Sequence, residues 1–386
     1  MDFKLPVYDA PDFTLDYLRS APDVSTAIVQ MDGVAPEQFH GTSMFPEYFK
    51  INGEWKLIED SRMDCCVVIR ADGRLDAVEF RNLKKGDRVI LGRTENGIDG
   101  ILLHDNGFHE QYIPGDSFQF RTGRSRETPF SQDYDTLYNL LSYERENGGN
   151  VLWVMGPACA FDADARASMR YLIENGFVQG ILAGNALATH DLEAGLFGTA
   201  LGQNIYSQKP QHNGHYNHIE ILNRVRREGS IEKFIDTYKI EDGIIESCVR
   251  NGVPFVLAGS IRDDGPLPEV IPNVYDAQDK MRSLIRKATT VICLATQLHT
   301  IAACNMTPCY RVIDGNVRPL FIYTVDVSEF AINKLVDRGS LSATGIVTNA
   351  QDFVVMVAKV FRRNWNQIKI EFDSYILQYL RLVKKD

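Results

Sequence analysis

Val253-Pro-Phe-Val-Leu-Ala-Gly-Ser-Ile-Arg-Asp-Asp-Gly-Pro-Leu-Pro268 decides how the rest of the chain is read. Its apolar run, Val253 to Ala258, has the length of a buried strand and ends at Gly259-Ser260. Arg262, Asp263 and Asp264 then arrive together before Gly265-Pro266 turns the chain. A buried strand whose carboxyl end delivers polar groups points to an open α/β sheet, where ligands bind in the crevice at the strand ends.

Working outward, the same texture recurs. Val151-Leu-Trp-Val-Met-Gly-Pro157 reads as a parallel strand, preceded by a helix from Gln132 and followed by a helix from Asp162 to Asn175 that Gly176 terminates. Further strands are expected at Val178 to Ala183, Thr290 to Ala295, Phe321 to Asp326 and around Gly345-Ile-Val. Helices are expected at Ile219 to Arg227, Ile231 to Tyr238 (capped by Ser230), Asp242 to Arg250, Tyr275 to Arg286, Glu329 to Asp337 and Asp352 to Trp365. Strands alternating with helices predict a doubly wound, mostly parallel, Rossmann-like sheet. The Gly-x-Gly-x-x-Gly wording of dinucleotide sites is absent from the chain.

Ahead of it lies a different texture. Ala27 to Gln30, Trp55 to Ile58, Cys65 to Arg70 and Leu83 to Gly92 are strand-like, with Asn52-Gly53 and Asp72-Gly73 as type I′ hairpin signals. These predict a smaller β-rich N-terminal domain over residues 1–125 and a Rossmann-like catalytic domain over 126–386. In the small domain, Thr42 and Ser43 of His40-Gly-Thr-Ser-Met-Phe-Pro46 are either substrate contacts or turn residues that satisfy their own backbone. Residues 93–132 read as a long excursion, with His104 and His109 on the surface.

Composition bounds the function. With 386 residues, 44% hydrophobic and 24% charged, the chain can bury a full core. No apolar run approaches the ~20 residues of a membrane span, and the N-terminus has no signal-peptide pattern. Seven scattered cysteines suit a reducing cytoplasm. A net charge of -10 argues against nucleic acid and suits a small cationic substrate. A homo-oligomer is expected for a sheet-rich enzyme with a small second domain.

Candidate site residues follow from placement at strand ends. Asn185 can hold a ribose or a carboxylate, while Thr189, His190, Asp191 and Glu193 crowd the following turn. His190-Asp191 is either part of a site or a helix cap beside a buried imidazole. Thr296 and His299 close another strand. Asp326 closes a third, as a grip for ribose hydroxyls or as a helix cap. Lys209 to His218 places His212, His215 and His218 at intervals of three, a spacing that metal ligands use. Pro210 and Asn213-Gly214 make it a loop, and no further ligand stands at a predictable spacing, so no metal is expected. His215 or His218 instead becomes a polar group at a helix entrance, within reach of substrate.

Four blocks then occur in order: Gly184-Asn-Ala-Leu-Ala-Thr-His-Asp-Leu-Glu193, Val253 to Pro268, Leu294-Ala-Thr-Gln-Leu-His-Thr-Ile-Ala302 and Asp337-Arg-Gly-Ser340. Together they resemble the archaeal-type NAD-dependent ornithine cyclodeaminases. This family is related to the lysine-ketoglutarate reductase/saccharopine dehydrogenase region and to the C-terminal part of the cyanobacterial arginine dihydrolase/ornithine cyclodeaminase. The likeness runs from about Asp32, since Asp32 to Glu37 and Asn52 to Trp55 also share it. With no arginine-degrading domain ahead of it, the sequence looks like the stand-alone form. Cys304 to Cys309 and Val327 to Phe330 depart from the family wording and leave the substrate open.

The resemblance implies NAD as cofactor and conversion of L-ornithine to L-proline and ammonia. The α-hydrogen leaves as hydride, the side-chain amine attacks the resulting imine, and the reduced cofactor returns the hydride to the cyclic imine. Such chemistry needs carboxylates for the substrate amines and groups that move protons. Asp264, then Asp263, are expected at the amines, and His218 or His190 at the proton. Asn185, Gly259, Ser260, Thr296, His299 and Asp326 are expected to line the cofactor. Two alternatives stay open: another NAD-dependent amino-acid or amine oxidoreductase, and a non-catalytic NAD-binding amino-acid sensor.

Overall fold

A computed structural model of the chain describes residues 3–109, 131–263, 265–328 and 343–363. At its centre are seven strands: β1 (Val151–Met155), β2 (Gly180–Gly184), β3 (Phe255–Ala258), β4 (Val270–Ile271), β5 (Thr290–Leu294), β6 (Phe321–Asp326) and β7 (Ala343–Val347). They lie in the order β4-β3-β2-β1-β5-β6-β7, and every neighbouring pair is parallel. The doubly wound parallel sheet expected from the sequence is therefore present.

The strands read as unbroken apolar runs because both sheet faces are covered: all five residues of β1, and all five of β5, are buried. Val151, Trp153 and Met155 point to one face, against Leu137, Leu140 and Leu141 of helix α1 (Ser131–Glu146) and Met169 and Leu172 of α2 (Ala163–Glu174). Leu152 and Val154 point to the other, where α7 (Val274–Ile285) and α8 (Gln297–Asn305) supply Met281, Ile285, Ala303 and Cys304. Between these helices in sequence come α3 (Asn185–Phe197), α4 (His215–Glu228), α5 (Ile231–Tyr238) and α6 (Ile244–Asn251). Ser230 caps α5 as expected, its hydroxyl accepting from the Lys233 N–H.

Two antiparallel sheets occupy the N-terminal part. One joins Ser25–Ile28, Arg88–Leu91, Cys66–Ile69 and Leu75–Val78; the other joins Glu54–Leu57, Glu47–Ile51 and Ile101–Leu103. Phe49, Ile58, Val67 and Ile90 fill the space they share. Asn52 and Gly53 both take positive φ (54° and 81°), the type I′ turn that their sequence predicts. Asp72-Gly73 does not: only Gly73 is left-handed, its N–H donates to the Arg70 carbonyl, and the loop is a type I turn closed by a glycine bulge. Thr42 and Ser43 are held by hydrogen bonds within the N-terminal part. The Thr42 hydroxyl donates to the Arg62 carbonyl, and the Ser43 N–H donates to Glu47 Oε1. His109 is exposed, whereas His104 is half-buried with Nε2 2.8 Å from the Asp9 carbonyl. The expected boundary at residue 125 lies outside the described residues, as does the helix expected from Glu329 to Asp337.

The two parts are joined by charge. Asp60 faces Arg282 at 2.6 Å and Arg286 at 2.7 Å, both on or beside α7. All seven cysteines are free and buried.

Helix α3 is fixed from behind by a buried ion pair. Arg166 of α2 donates to Asp191 Oδ1 at 2.9 Å, and Asp191 Oδ2 accepts from the Ile245 N–H at the start of α6. His190-Asp191 thus lies inside a helix and not in a turn, and Asp191 serves packing. Arg166→Met would strand the Asp191 carboxylate away from water, and is expected to lower unfolding free energy by about 3–5 kcal/mol. A urea denaturation midpoint unchanged from that of the native protein would contradict this role.

Candidate functional site

The chain builds β1 to β4 outward in one direction, then returns to the other side of β1 to begin β5. Beyond that reversal the chains leaving β1 and β5 diverge and leave a crevice. A cavity of about 400 Å³ occupies it, walled by the carboxyl ends of β1, β2, β3 and β5. Gly156 makes the geometry possible, since a Cβ there would fall 2.3 Å from the Ala295 carbonyl oxygen. Ala295 itself is held at φ 48°, a strained backbone of the kind found beside functional sites.

Each strand end contributes differently. From β2, Asn185 opens α3 and lines the cavity, and its Oδ1 accepts from the Leu267 N–H at 3.0 Å. After β3, the loop folds on itself: Asp263 Oδ2 accepts from the Ser260 N–H at 2.9 Å, and Ser260 Oγ accepts from the Arg262 N–H at 3.1 Å. That turn brings Ser260, Arg262 and Asp263 to the cavity wall. From β5, Thr296 Oγ1 lies 3.3 Å from His299 Nδ1. His299 fits because Gly184 has no side chain; a Cβ there would stand 3.1 Å from the ring. Burial pushes the His299 imidazole below its ordinary value, and the nearby Asp263 carboxylate opposes the push.

On α3, His190 Nδ1 lies 3.0 Å from Glu193 Oε2. Glu193 is wholly buried and also accepts from the Thr199 hydroxyl at 2.8 Å, the Leu201 N–H at 2.9 Å and the Gly202 N–H at 3.0 Å. His218, on α4, places its ring 6.0 Å from that of His190. Its Nδ1 and the Thr189 hydroxyl are buried without a partner among the described residues, yet both residues line the cavity. Buried polar atoms of this kind are what a ligand satisfies.

Of the residues expected from sequence, His190, His218, Asp263, Asn185, Ser260, Thr296 and His299 meet at this one cavity. Gly259 stands just behind the wall, its N–H donating to the Ile271 carbonyl at 2.9 Å across to β4. Asp326 does not share the crevice as expected. It ends β6, two strands from β1, and lines an adjoining hollow of about 330 Å³ with Asn349 and Gln351, beyond the Pro157–Phe161 turn. Its Oδ1 accepts from the Ser328 N–H. Asp264 lies outside the described residues. His212 and His215 are exposed, and no group of three His, Cys, Asp or Glu side chains among the described residues is placed to hold a metal. Sequence reasoning left Glu193 and Arg262 out of the candidate site. Glu193 had a signal, an acid three residues after a histidine and so on the same helix face.

A doubly wound sheet with imidazoles, a carboxylate and amide groups at its switch point defines a Rossmann-fold enzyme domain. The chain belongs to the ornithine cyclodeaminase family built on ArgZ-like C-terminal domains. Residues 137–357 match the profile described as arginine dihydrolase ArgZ-like, C-terminal, Rossmann fold, and residues 46–123 match its first region. The ornithine cyclodeaminase of Archaeoglobus fulgidus is 38% identical over 338 residues, covering 87% of this chain and 78% of that protein. A solved LOR/SDH protein from Methanococcus maripaludis S2 superposes with a TM-score of 0.78 at 33% identity, covering 89% of this chain and 99% of that one. AgrE, solved as a ternary complex with ornithine and NAD+, matches at 30% identity and TM-score 0.53 over 88% of this chain, which spans 46% of AgrE.

The His299 shift has a sign. Its folded value is depressed, so the unfolded chain takes up a proton first as pH falls, and the native state loses stability through and below the ordinary imidazole range. Urea midpoints measured from pH ~7.5 down to ~5 are expected to fall less steeply in His299→Gln than in the native protein. Parallel curves would show that His299 contributes nothing to the slope.

Proposed function

We propose that this protein is an NAD-dependent ornithine cyclodeaminase, releasing ammonia from L-ornithine and closing the remaining carbons and nitrogen into L-proline. The observation that carries this reading is one switch-point cavity where Asp263, His190 and His218 come together in a chain of the ornithine cyclodeaminase family. No helix of the described residues is long and apolar enough to cross a membrane. Cytoplasmic location and homo-oligomeric assembly belong to the same proposal.

Two observations make the site suitable for NAD. The cavity and the Asp326 hollow adjoin across Pro157–Phe161, giving two lobes for a two-part molecule. Thr189 and His218 line the first lobe, and the Thr189 hydroxyl and His218 Nδ1 have no partner among the described residues. NAD bound there would supply the acceptance and return of a hydride within one turnover, with no net reduced cofactor. Asn185, Ser260, Thr296 and His299 are proposed to hold it, with Gly259 supporting the wall behind them and Asp326 at ribose hydroxyls.

The remaining chemistry belongs to side chains. Ornithine carries two ammonium groups and one carboxylate. Asp263, together with Asp264, is proposed to bind the ammoniums, and Arg262 on the same loop to bind the carboxylate. An amine must lose its proton before it can expel hydride or attack an imine, and the departing ammonia must gain one. His190 and His218 are proposed to accept and return these protons. The mostly apolar wall of the cavity strengthens both the charge pairing and the proton transfers by limiting the water around them.

Incubation with NAD+ and a panel of basic amino acids tests the reading. Ornithine should give proline and ammonia in equal amounts with no net reduced cofactor. Steady accumulation of NADH would indicate another amino-acid oxidoreductase, and binding without turnover a sensor. Asp263→Asn is expected to raise KM for ornithine by about tenfold or more, from loss of a charged contact worth ~1.5–3 kcal/mol. An unchanged KM would remove Asp263 from substrate binding.

A further inference from the structure

We infer that Glu193 is the positioning residue of the reaction: it fixes which nitrogen of His190 carries the proton and aims the other at the substrate amine. The inference rests on the proposed function for its chemistry, but its geometry stands on Glu193 alone. Glu193 is wholly buried in the middle of α3, and its two oxygens face four hydrogen-bonding groups. Three of these are fixed donors from one loop, the Thr199 hydroxyl and the Leu201 and Gly202 N–H groups. A carboxylate held by that many donors has only acceptance to offer the fourth group, His190 Nδ1 at 3.0 Å. The proton of a neutral His190 ring is therefore on Nδ1.

Nε2 is left as the lone-pair nitrogen of a ring that lines the cavity, with no partner among the described residues. In the reaction, the substrate N–H bond breaks, its electron pair stays on the amine nitrogen, and the proton forms a new bond to Nε2. The imidazolium so formed is stabilised by the carboxylate already in place, as a second-neighbour carboxylate does for catalytic imidazoles elsewhere. The same carboxylate ties down Leu201, which forms part of the cavity wall. The Thr199 hydroxyl also accepts from Asn217 Nδ2 at 2.8 Å, which links Glu193 to the helix that carries His218. One acid thus fixes the ring and the wall and is linked to the helix that carries the second histidine.

Nitrogen-15 NMR of the histidine rings in the ligand-free protein, with His190→Asn used to assign the signal, tests this directly. The neutral His190 ring should carry its proton on Nδ1. A proton on Nε2 in the unsubstituted protein would overturn the inference whatever the substrate proves to be. Glu193→Gln replaces one of the two acceptor oxygens with an NH2 donor and should move the proton to Nε2. The same variant should lower kcat for ornithine at least a hundredfold while KM changes less than threefold. A Glu193 that only braced the loop would raise KM and leave the ring tautomer alone. A shifted tautomer in a protein inert toward ornithine would keep the positioning role and reject the substrate.

Discussion

β1 is bonded on both edges, to β2 on one side and β5 on the other, and the chain leaves those two neighbours toward opposite ends of the sheet. Everything that follows depends on this reversal. A parallel strand needs a crossover to reach its neighbour, and two crossovers departing in opposite directions cannot both cover the strand end between them. The uncovered end is the cavity. Gly156 is required there because the backbone leaving β1 passes so close to Ala295 that a Cβ has no space.

Much of this was legible in the sequence because both-face burial leaves a plain signal. Val151–Met155 is apolar at every position, and Thr290–Leu294 at every position after its first, and each run stops at a strand end. Strand ends in an open parallel sheet share one edge, so Asn185, Ser260, Thr296 and His299 could be grouped without coordinates. What was not legible was lateral distance. Asp326 also ends a strand, but its strand lies two places from β1, about 10 Å away, and it lines another hollow. Strand order is set by long-range pairing, which the local pattern does not record.

Helix α3 was the other point of difference. Thr189, His190, Asp191 and Glu193 look like a polar turn, because such a density of polar groups is expensive inside a buried helix. Each is accommodated individually. Asp191 meets Arg166 and the amide end of α6, Glu193 meets four hydrogen-bonding groups, and Thr189 and His190 face the cavity. The turn chemistry of Asp72-Gly73 misled for a related reason: one left-handed glycine closes more than one kind of loop.

Buried on nearly every side, α3 has almost no position where a change of residue goes unnoticed: nine of its thirteen residues are buried. Its permissive sites are few, and they lie at its ends. Random mutagenesis should therefore leave this helix as a gap in the map of tolerated substitutions, with losses of folding and losses of turnover interleaved residue by residue. Evolution toward a new substrate is then channelled away from α3. The loop from Gly259 to Pro266, with Ser260, Ile261 and Arg262 exposed, offers it room to vary.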